Sequence, residues 1–381
     1  MRDVSRMTIT TAVAAAVVFF AVAGQDEIAK FDPRMALEHA TVTNGVKWID
    51  GRFLPLEGRA FADVDHYYDR LPSGLTTNVN EGVRSMKHHT SGMMFRFRTD
   101  SRQLVFKWIP YNPKLSMDHM PSTGMSGIDV YRYDAGRGRW MYVKTGRIYD
   151  GRAGGQLSVP WKSGDACLVN LPLYNGIRSF ELGIDPEAKI ESLGPRKSGV
   201  DRPVVFYGTS ITHGGCCSRP GLAFVNRIGR DLDVPVVGLG FSGSGVMELE
   251  LSDVIARIDA SCYVLDCLWN MCDDPKAEKP RSVQRNYEPF IRNLRAKRPD
   301  VPIVMAGMCD VFCRKGNGMD EYVRGLYDRL TAEGWKKLYF LPKDGMLGDD
   351  FEGTVDGVHP NDLGMRTMAE VYGGAVRRAL W

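Results

Sequence analysis

The chain has 381 residues, 44% of them hydrophobic, with 49 basic and 46 acidic side chains and a formal net charge of +3. That length exceeds one small core and points to two domains, and the composition is that of an ordinary globular protein. The near balance of charge, without a basic block, argues against nucleic acid as a partner.

At the N-terminus Arg2 and Arg6 precede an apolar run, residues 12–22, and Ala21-Val22-Ala23 offers a small-x-small cleavage site. This is the layout of a signal peptide over residues 1–23, which predicts a mature chain starting near Gly24, secreted or periplasmic. The alternative is an uncleaved anchor, for which the run is short. No later segment is apolar enough to span a membrane, so no membrane association is expected after cleavage. Residues 24–44 read as a leader or tether.

From residue 45 to 194 the pattern is β. Short runs at 94–98, 104–109, 128–133, 140–143, 166–171 and 180–184 are punctuated by Gly, Pro, Asn and Asp, without helical periodicity. That predicts a β-sandwich. Gly194-Pro195-Arg196-Lys197-Ser198-Gly199 is a breaker-rich linker.

Beyond it strands and helices alternate. Strand 204–207 precedes Leu222, Val225, Ile228 and Leu232 at helical spacing, and strand 234–239 precedes Val246, Leu249, Ile255 and Ile258. Strand 262–268 precedes Tyr287, Phe290, Ile291 and Leu294, and strand 301–306 precedes Tyr322, Leu326 and Leu330. Strand 338–341 leads to a loop and a last helix from about Asn361. The alternation predicts an α/β domain over residues 195–381, with a parallel sheet covered by helices.

Chemistry-bearing residues gather at the ends of these strands. Gly208-Thr209-Ser210 follows the first, Gly240-Phe241-Ser242-Gly243-Ser244-Gly245 the second, and Trp269-Asn270 the third. Asp356-Gly357-Val358-His359 lies in the terminal loop. Open α/β sheets place their sites at such strand ends. A serine on the turn after a buried strand is available as a nucleophile, a histidine can take its proton, and an aspartate can orient that histidine. A second D-x-x-H, Asp63-Val64-Asp65-His66, lies in the β region, ahead of the serine.

With Ser210, Gly243, Asn270 and Asp356/His359 in that order, the chain resembles the SGNH (GDSL-like) hydrolase superfamily. Thr209 stands where Gly-Asp-Ser has its aspartate, and Trp269-Asn270-Met271 replaces Gly-x-Asn-Asp. The stretch 208–221 looks like a carbohydrate-esterase-like branch, which often carries an N-terminal domain marked Gly-x-Asp-Leu-Tyr. Gly127-Ile128-Asp129-Val130-Tyr131 is similar to that mark. The resemblance implies a three-layer hydrolase domain behind a jelly-roll-like sandwich. It implies Ser210, His359 and Asp356 as the catalytic triad, and an oxyanion hole from the N–H groups of Ser210 and Gly243 with the Asn270 amide.

His213, Arg219 and Trp269 are candidate substrate contacts. A loop role for His213, a structural pair for Arg219 and a core role for Trp269 are the alternatives. Eight cysteines, at 167, 216, 217, 262, 267, 272, 309 and 313, include no C-x-x-C and no histidine at ligand spacing, so no metal or cofactor is expected. Cys262 and Cys267 read as core thiols, and Cys272 and Cys309 follow neighbouring strands and could meet. The expected activity is deacylation, foremost deacetylation, of an acylated carbohydrate by a secreted serine esterase. A lipase or aryl esterase, and a non-catalytic glycan-binding protein, stay open, as does the oligomeric state.

Overall fold

The computed structural model describes residues 40–271, 282–309 and 318–381. The expected signal peptide and almost all of the leader lie outside the described residues, as do Cys272 and Cys313. Among the described residues no helix is long and apolar enough to cross a membrane.

The first part holds β1 (Thr41–Thr43), β2 (Val46–Asp50), β3 (Leu56–Glu57), β4 (Met94–Thr99), β5 (Gln103–Pro110), β6 (Ile128–Asp134), β7 (Arg139–Gly146), β8 (Gly155–Pro160), β9 (Ala166–Asn170), β10 (Ile177–Ile184) and β11 (Ile190–Ser192). They form two antiparallel sheets, ordered β1-β2-β10-β5-β8 and β11-β4-β9-β6-β7, with β3 beside β4. Leu104, Phe106 and Trp108 of β5, at alternate positions, share one core with Phe95 and Phe97 of β4 and Val130 of β6. The two short helices in this part, α1 (Glu81–Met86) and α2 (Ser122–Met125), were not legible in the sequence. Asn80 caps α1 through a side chain that accepts from Val83 N–H at 3.0 Å.

The basic face of β4 is largely covered. Met94, Leu168 and Tyr131 pack into a second core shared with the other half of the molecule. Arg96 meets Glu57 at 3.6 Å and Asp233 at 3.7 Å, which is how its charge tolerates partial burial. Arg196 of the linker binds the same two carboxylates, so ion pairs pin the breaker-rich linker in place.

The second part is a parallel sheet of β12 (Val204–Gly208), β13 (Val236–Gly240), β14 (Cys262–Asp266), β15 (Ile303–Ala306) and β16 (Leu338–Leu341), ordered β13-β12-β14-β15-β16. Its helices are α3 (Ser210–His213), α4 (Phe224–Asp231), α5 (Leu249–Ala256), α6 (Ser282–Lys297), α7 (Met319–Ala332) and α8 (Asp362–Leu380). The strands are buried on both faces. Val205 and Tyr207 meet α5, α6 and α7, whereas Val204 and Phe206 meet α4 and α8. That is why these runs read as continuous apolar stretches rather than as alternation.

Strand order reverses at β12, which neighbours both β13 and β14. The crevice at the C-terminal end of β12 is therefore the topological switch point, where open α/β sheets hold ligands. The first part reaches behind it. Arg70, fully buried, donates to the carbonyls of Gly238 at 3.1 Å and Gly240 at 2.8 Å on β13, and to Met86 at 2.8 Å. Gly92 lies against Gly238 so closely that a Cβ on Gly92 would fall 2.6 Å from the Gly238 nitrogen.

Candidate active site

Ser210 opens α3 immediately after β12. The turn is tight: a Cβ on Gly208 would sit 2.1 Å from Thr212 Oγ1, and one on Gly245 would sit 2.2 Å from the Gly208 oxygen. Only glycine lets the strand end, the serine turn and the next loop close together. Thr209 caps α3, its side chain accepting from Ile211 N–H at 3.2 Å. The residue in place of the expected aspartate thus has a local backbone role.

His359 arrives from the loop between β16 and α8. Its Nε2 is 2.8 Å from Ser210 Oγ, and its Nδ1 is 2.7 Å from Asp356 Oδ2. Asp356 Oδ1 also accepts the backbone N–H groups of Val358, at 2.9 Å, and His359, at 2.7 Å. The three-residue spacing lets one carboxylate fix both the loop and the ring. Burial pushes the Asp356 carboxyl up, but the hydrogen bonds from His359 and Val358 outweigh it and hold the group below its ordinary range. The loop is anchored further by Thr354 Oγ1 donating to His359 O at 2.8 Å and by Asn361, which caps α8.

Gly208, Gly240 and Asp266 are paired across β12, β13 and β14 at one level. Ser210, Gly243 and Asn270 follow these three positions on the adjoining loops. Gly243 has φ +66, sits in the turn closed by Ser244 N–H to Phe241 O at 2.9 Å, and is exposed. Asn270 Oδ1 accepts from Gly245 N–H at 3.1 Å, which ties the third loop to the second.

The candidate substrate contacts part company. Trp269 is half-buried beside Asn270, its Nε1–H donating to Cys309 O at 2.6 Å. Arg219 donates to Asp129 Oδ2 at 2.8 Å, and its guanidinium carbon lies 4.0 Å from the centre of the Tyr142 ring; it holds the structural pair and not a free ligand position. His213 points inward. It is fully buried, stacks on Tyr174 at 4.1 Å, and meets His89 Nδ1 at 3.2 Å. Burial, then Arg70 and His89, drives its pKa well below the ordinary value, so it is a neutral core histidine and not a substrate contact. The backbone explains the misreading: α3 is one turn long, and its third residue after the serine faces the first part of the chain.

Cys216 is buried, and burial followed by the Asp356 charge pushes its thiol up to about 11, which disfavours the thiolate that a nucleophile would need. Cys167, Cys217, Cys262 and Cys267 are buried thiols. The proposed meeting of Cys272 with Cys309 falls outside the described residues on the Cys272 side. In the second D-x-x-H, Asp63 pairs with Arg257 and Asp65 with Lys87.

Several residues at the site escaped sequence reading. Tyr174 donates to Ser210 O at 3.0 Å. Asp266, fully buried, takes hydroxyl bonds from Thr212 at 2.6 Å and Tyr372 at 3.0 Å; burial lifts its carboxyl to about 6, against these two bonds. His119, exposed on a loop of the first part, has its ring 6.5 Å from that of His359. Asp129 had a signal, since it lies in the Gly-x-Asp-Val-Tyr stretch. It is buried and binds Arg219, Gly221 N–H at 2.8 Å and Asn170 at 2.8 Å, so it fastens the segment after the serine to the β part.

Residues 201–377 match the GDSL-like lipase/acylhydrolase family, and residues 46–190 match the GxDLY family, described as the N-terminus of SGNH-hydrolase-type esterases. Among solved structures, a candidate GDSL-like lipase from Bacteroides ovatus ATCC 8483 is similar at 29% identity and TM-score 0.75, over 88% of this chain and 98% of its own. The salicylyl-acyltransferase SsfX3, from a tetracycline biosynthetic pathway, superposes with TM-score 0.69 at 18% identity, over 89% of this chain and 99% of its own. A family 2 carbohydrate esterase from Corynascus thermopiles (Myceliophthora fergusii) does so with TM-score 0.54 at 14% identity, over 80% and 98%. At such identities the last two likenesses establish the fold alone. No curated protein matches the chain.

Proposed function

We propose that this chain, which belongs to the GDSL-like lipase/acylhydrolase family of SGNH hydrolases, hydrolyses O-acyl esters, foremost acetyl, on a polysaccharide or oligosaccharide. The observation that carries the reading is the Ser210–His359–Asp356 hydrogen-bond chain at the switch point of the parallel sheet. A serine hydroxyl is a weak nucleophile until a base takes its proton. His359 Nε2 accepts the Ser210 proton as Oγ attacks the ester carbonyl. The tetrahedral oxyanion is met by Ser210 N–H, Gly243 N–H and the Asn270 amide. The imidazolium, held by Asp356, then protonates the departing sugar hydroxyl, and water repeats the cycle on the acyl-enzyme.

The carbohydrate part of the reading is supported by fold likeness to carbohydrate esterases and by the half-buried Trp269 beside Asn270, whose indole suits a sugar ring. His119 supports a cleft lined partly by the first part of the chain. We read the two antiparallel sheets as a jelly-roll-like sandwich over residues 45–194, the hydrolase as residues 195–381, and residues 1–23 as a cleaved signal that places the enzyme outside the cytoplasm.

The test is kcat/KM across ester acyl lengths together with acetate release from acetylated glycans, with Ser210→Ala as control. The expected result is fastest turnover for acetyl, a steep fall by butyryl, released acetate, and a loss of more than roughly a thousandfold in the variant. Preference for C8 or longer esters with no acetate released would move the assignment to a lipase or aryl esterase. Undiminished turnover in pure Ser210→Ala protein would overturn the mechanism itself.

A further inference from the structure

Away from the triad, one buried carboxylate gathers two imidazoles. Asp69 is 1% exposed; its Oδ1 lies 2.7 Å from His88 Nδ1 and its Oδ2 lies 3.6 Å from His66 Nδ1. One donor atom from each of the three residues falls within 4.8 Å of the others. His66 is the histidine of the second D-x-x-H, the sequence feature that the triad leaves unused.

We propose that His66, Asp69 and His88 bind a divalent first-row metal ion of the zinc type, with three protein ligands and an outward position left for water. The donor set fits the chemistry: imidazole nitrogen with a single carboxylate suits zinc, whereas calcium and magnesium take oxygen shells. Tetrahedral zinc with bonds of about 2.0–2.1 Å needs donors about 3.3 Å apart. The two imidazole nitrogens lie against different oxygens of the one carboxylate, so the ion is held either through both oxygens or through one of them with a ring shifting toward it. His66, half exposed, is the ligand that must move to close the remaining distance.

The three residues are already gathered by local contacts. A turn closed by Asp69 N–H to His66 O at 2.9 Å joins two of the ligands, and His66 N–H donates to Asp69 Oδ2 at 3.1 Å. The His88 ring stacks on Tyr111 at 4.8 Å and meets the His66 ring edge-on at 4.9 Å. The stack on Tyr111 restrains the His88 ring. His66 and Tyr111 also line a cleft of about 630 Å³, which supplies access. Arg52 is engaged with Asp50, Lys87 with Asp65 and Arg178 with the Tyr111 carbonyl, while the buried Arg70 hydrogen-bonds the Gly238, Gly240 and Met86 carbonyls and feels the Asp69 charge.

The experiment uses untagged, chelator-treated full-length protein titrated with Zn²⁺ by calorimetry and with Co²⁺ by visible absorption. The expected result is one ion per chain, a tetrahedral Co²⁺ spectrum, and affinity lower by at least about tenfold in His66→Ala and in His88→Ala. Asp69→Asn risks misfolding because the carboxylate is buried and braces the turn; His66→Ala does not, since that ring is half exposed. His359→Ala should retain the ion. Absence of uptake by the wild type, undiminished binding in the His66→Ala/His88→Ala double variant, or loss of binding in His359→Ala would each overturn the proposal.

Discussion

Replacing Asp356 by Asn isolates what the carboxylate does for His359. The amide oxygen can still accept the Val358 and His359 N–H groups at 2.9 and 2.7 Å, so the loop should keep its shape. The amide nitrogen would replace Oδ2, now 2.7 Å from His359 Nδ1. Two N–H groups cannot face each other, so the imidazole is driven to carry its proton on Nε2, against Ser210 Oγ, where it can no longer act as base. A fully buried aspartate in this role is worth about 10⁴ in kcat. Here the side chain is 50% exposed, and water softens the tautomer bias. We therefore expect a loss of about 10³ in kcat, or roughly 4 kcal/mol of barrier, with KM little changed. Steady-state hydrolysis of p-nitrophenyl acetate measures this, with circular dichroism as the check on folding. A folded Asp356→Asn protein within about tenfold of wild-type kcat would refute the orienting role.

Asn270→Ala should lower kcat by roughly 10²–10³ with KM nearly unchanged, as expected of an oxyanion donor, and an equal rise in KM alone would argue for substrate holding instead. Asp266 is a carboxyl whose folded pKa, about 6, exceeds its ordinary 3.8 because of burial. Its contribution to stability is full below about pH 4 and is lost as pH rises to about 6, so Asp266→Asn should gain on wild type by up to about 3 kcal/mol across that window. Urea unfolding at several pH values checks this, and a stability difference that does not vary with pH counts against it. Gly240→Ala places a Cβ 2.1 Å from the His213 nitrogen and 2.5 Å from its Cα, both backbone. A destabilisation of roughly 3 kcal/mol or more, or insoluble protein, is expected, to be read from thermal melts of the soluble fraction.

The parallel sheet was legible because its strands are buried on both faces and so read as unbroken apolar runs, each followed by helical spacing. The strand limits moved by only a residue or two, as with 234–239 against the observed Val236–Gly240. That Ser210, His359 and Asp356 come together was legible because a strand-end turn and one short loop deliver them. What escaped reading depends on contacts between distant segments. Nothing local in Arg70 says that it reaches Gly238 and Gly240, 168 and 170 residues away. His213 was misplaced for the same reason, since its distance from Ser210 along the chain is short whereas the ring that covers it, Tyr174, comes from the β part. His119 approaches His359 from a loop with no pattern of its own.

The guanidinium of Arg70 and the bare backbone of Gly92 both lie on β13, which among the described residues is the outermost strand on its side of the parallel sheet and pairs only with β12. An outermost strand normally offers its free carbonyls to any passing chain, and such rims seed aggregation. Here two of those carbonyls are spoken for by a residue that folds with the other half. The hydrolase region is thus unsuited to life as an interchangeable cassette. Severing it near the linker would bare a sticky rim and leave the Arg70 charge without its seat. Mutational drift on either side of that seam is constrained by the other, so the two halves should be inherited, and engineered, as one piece.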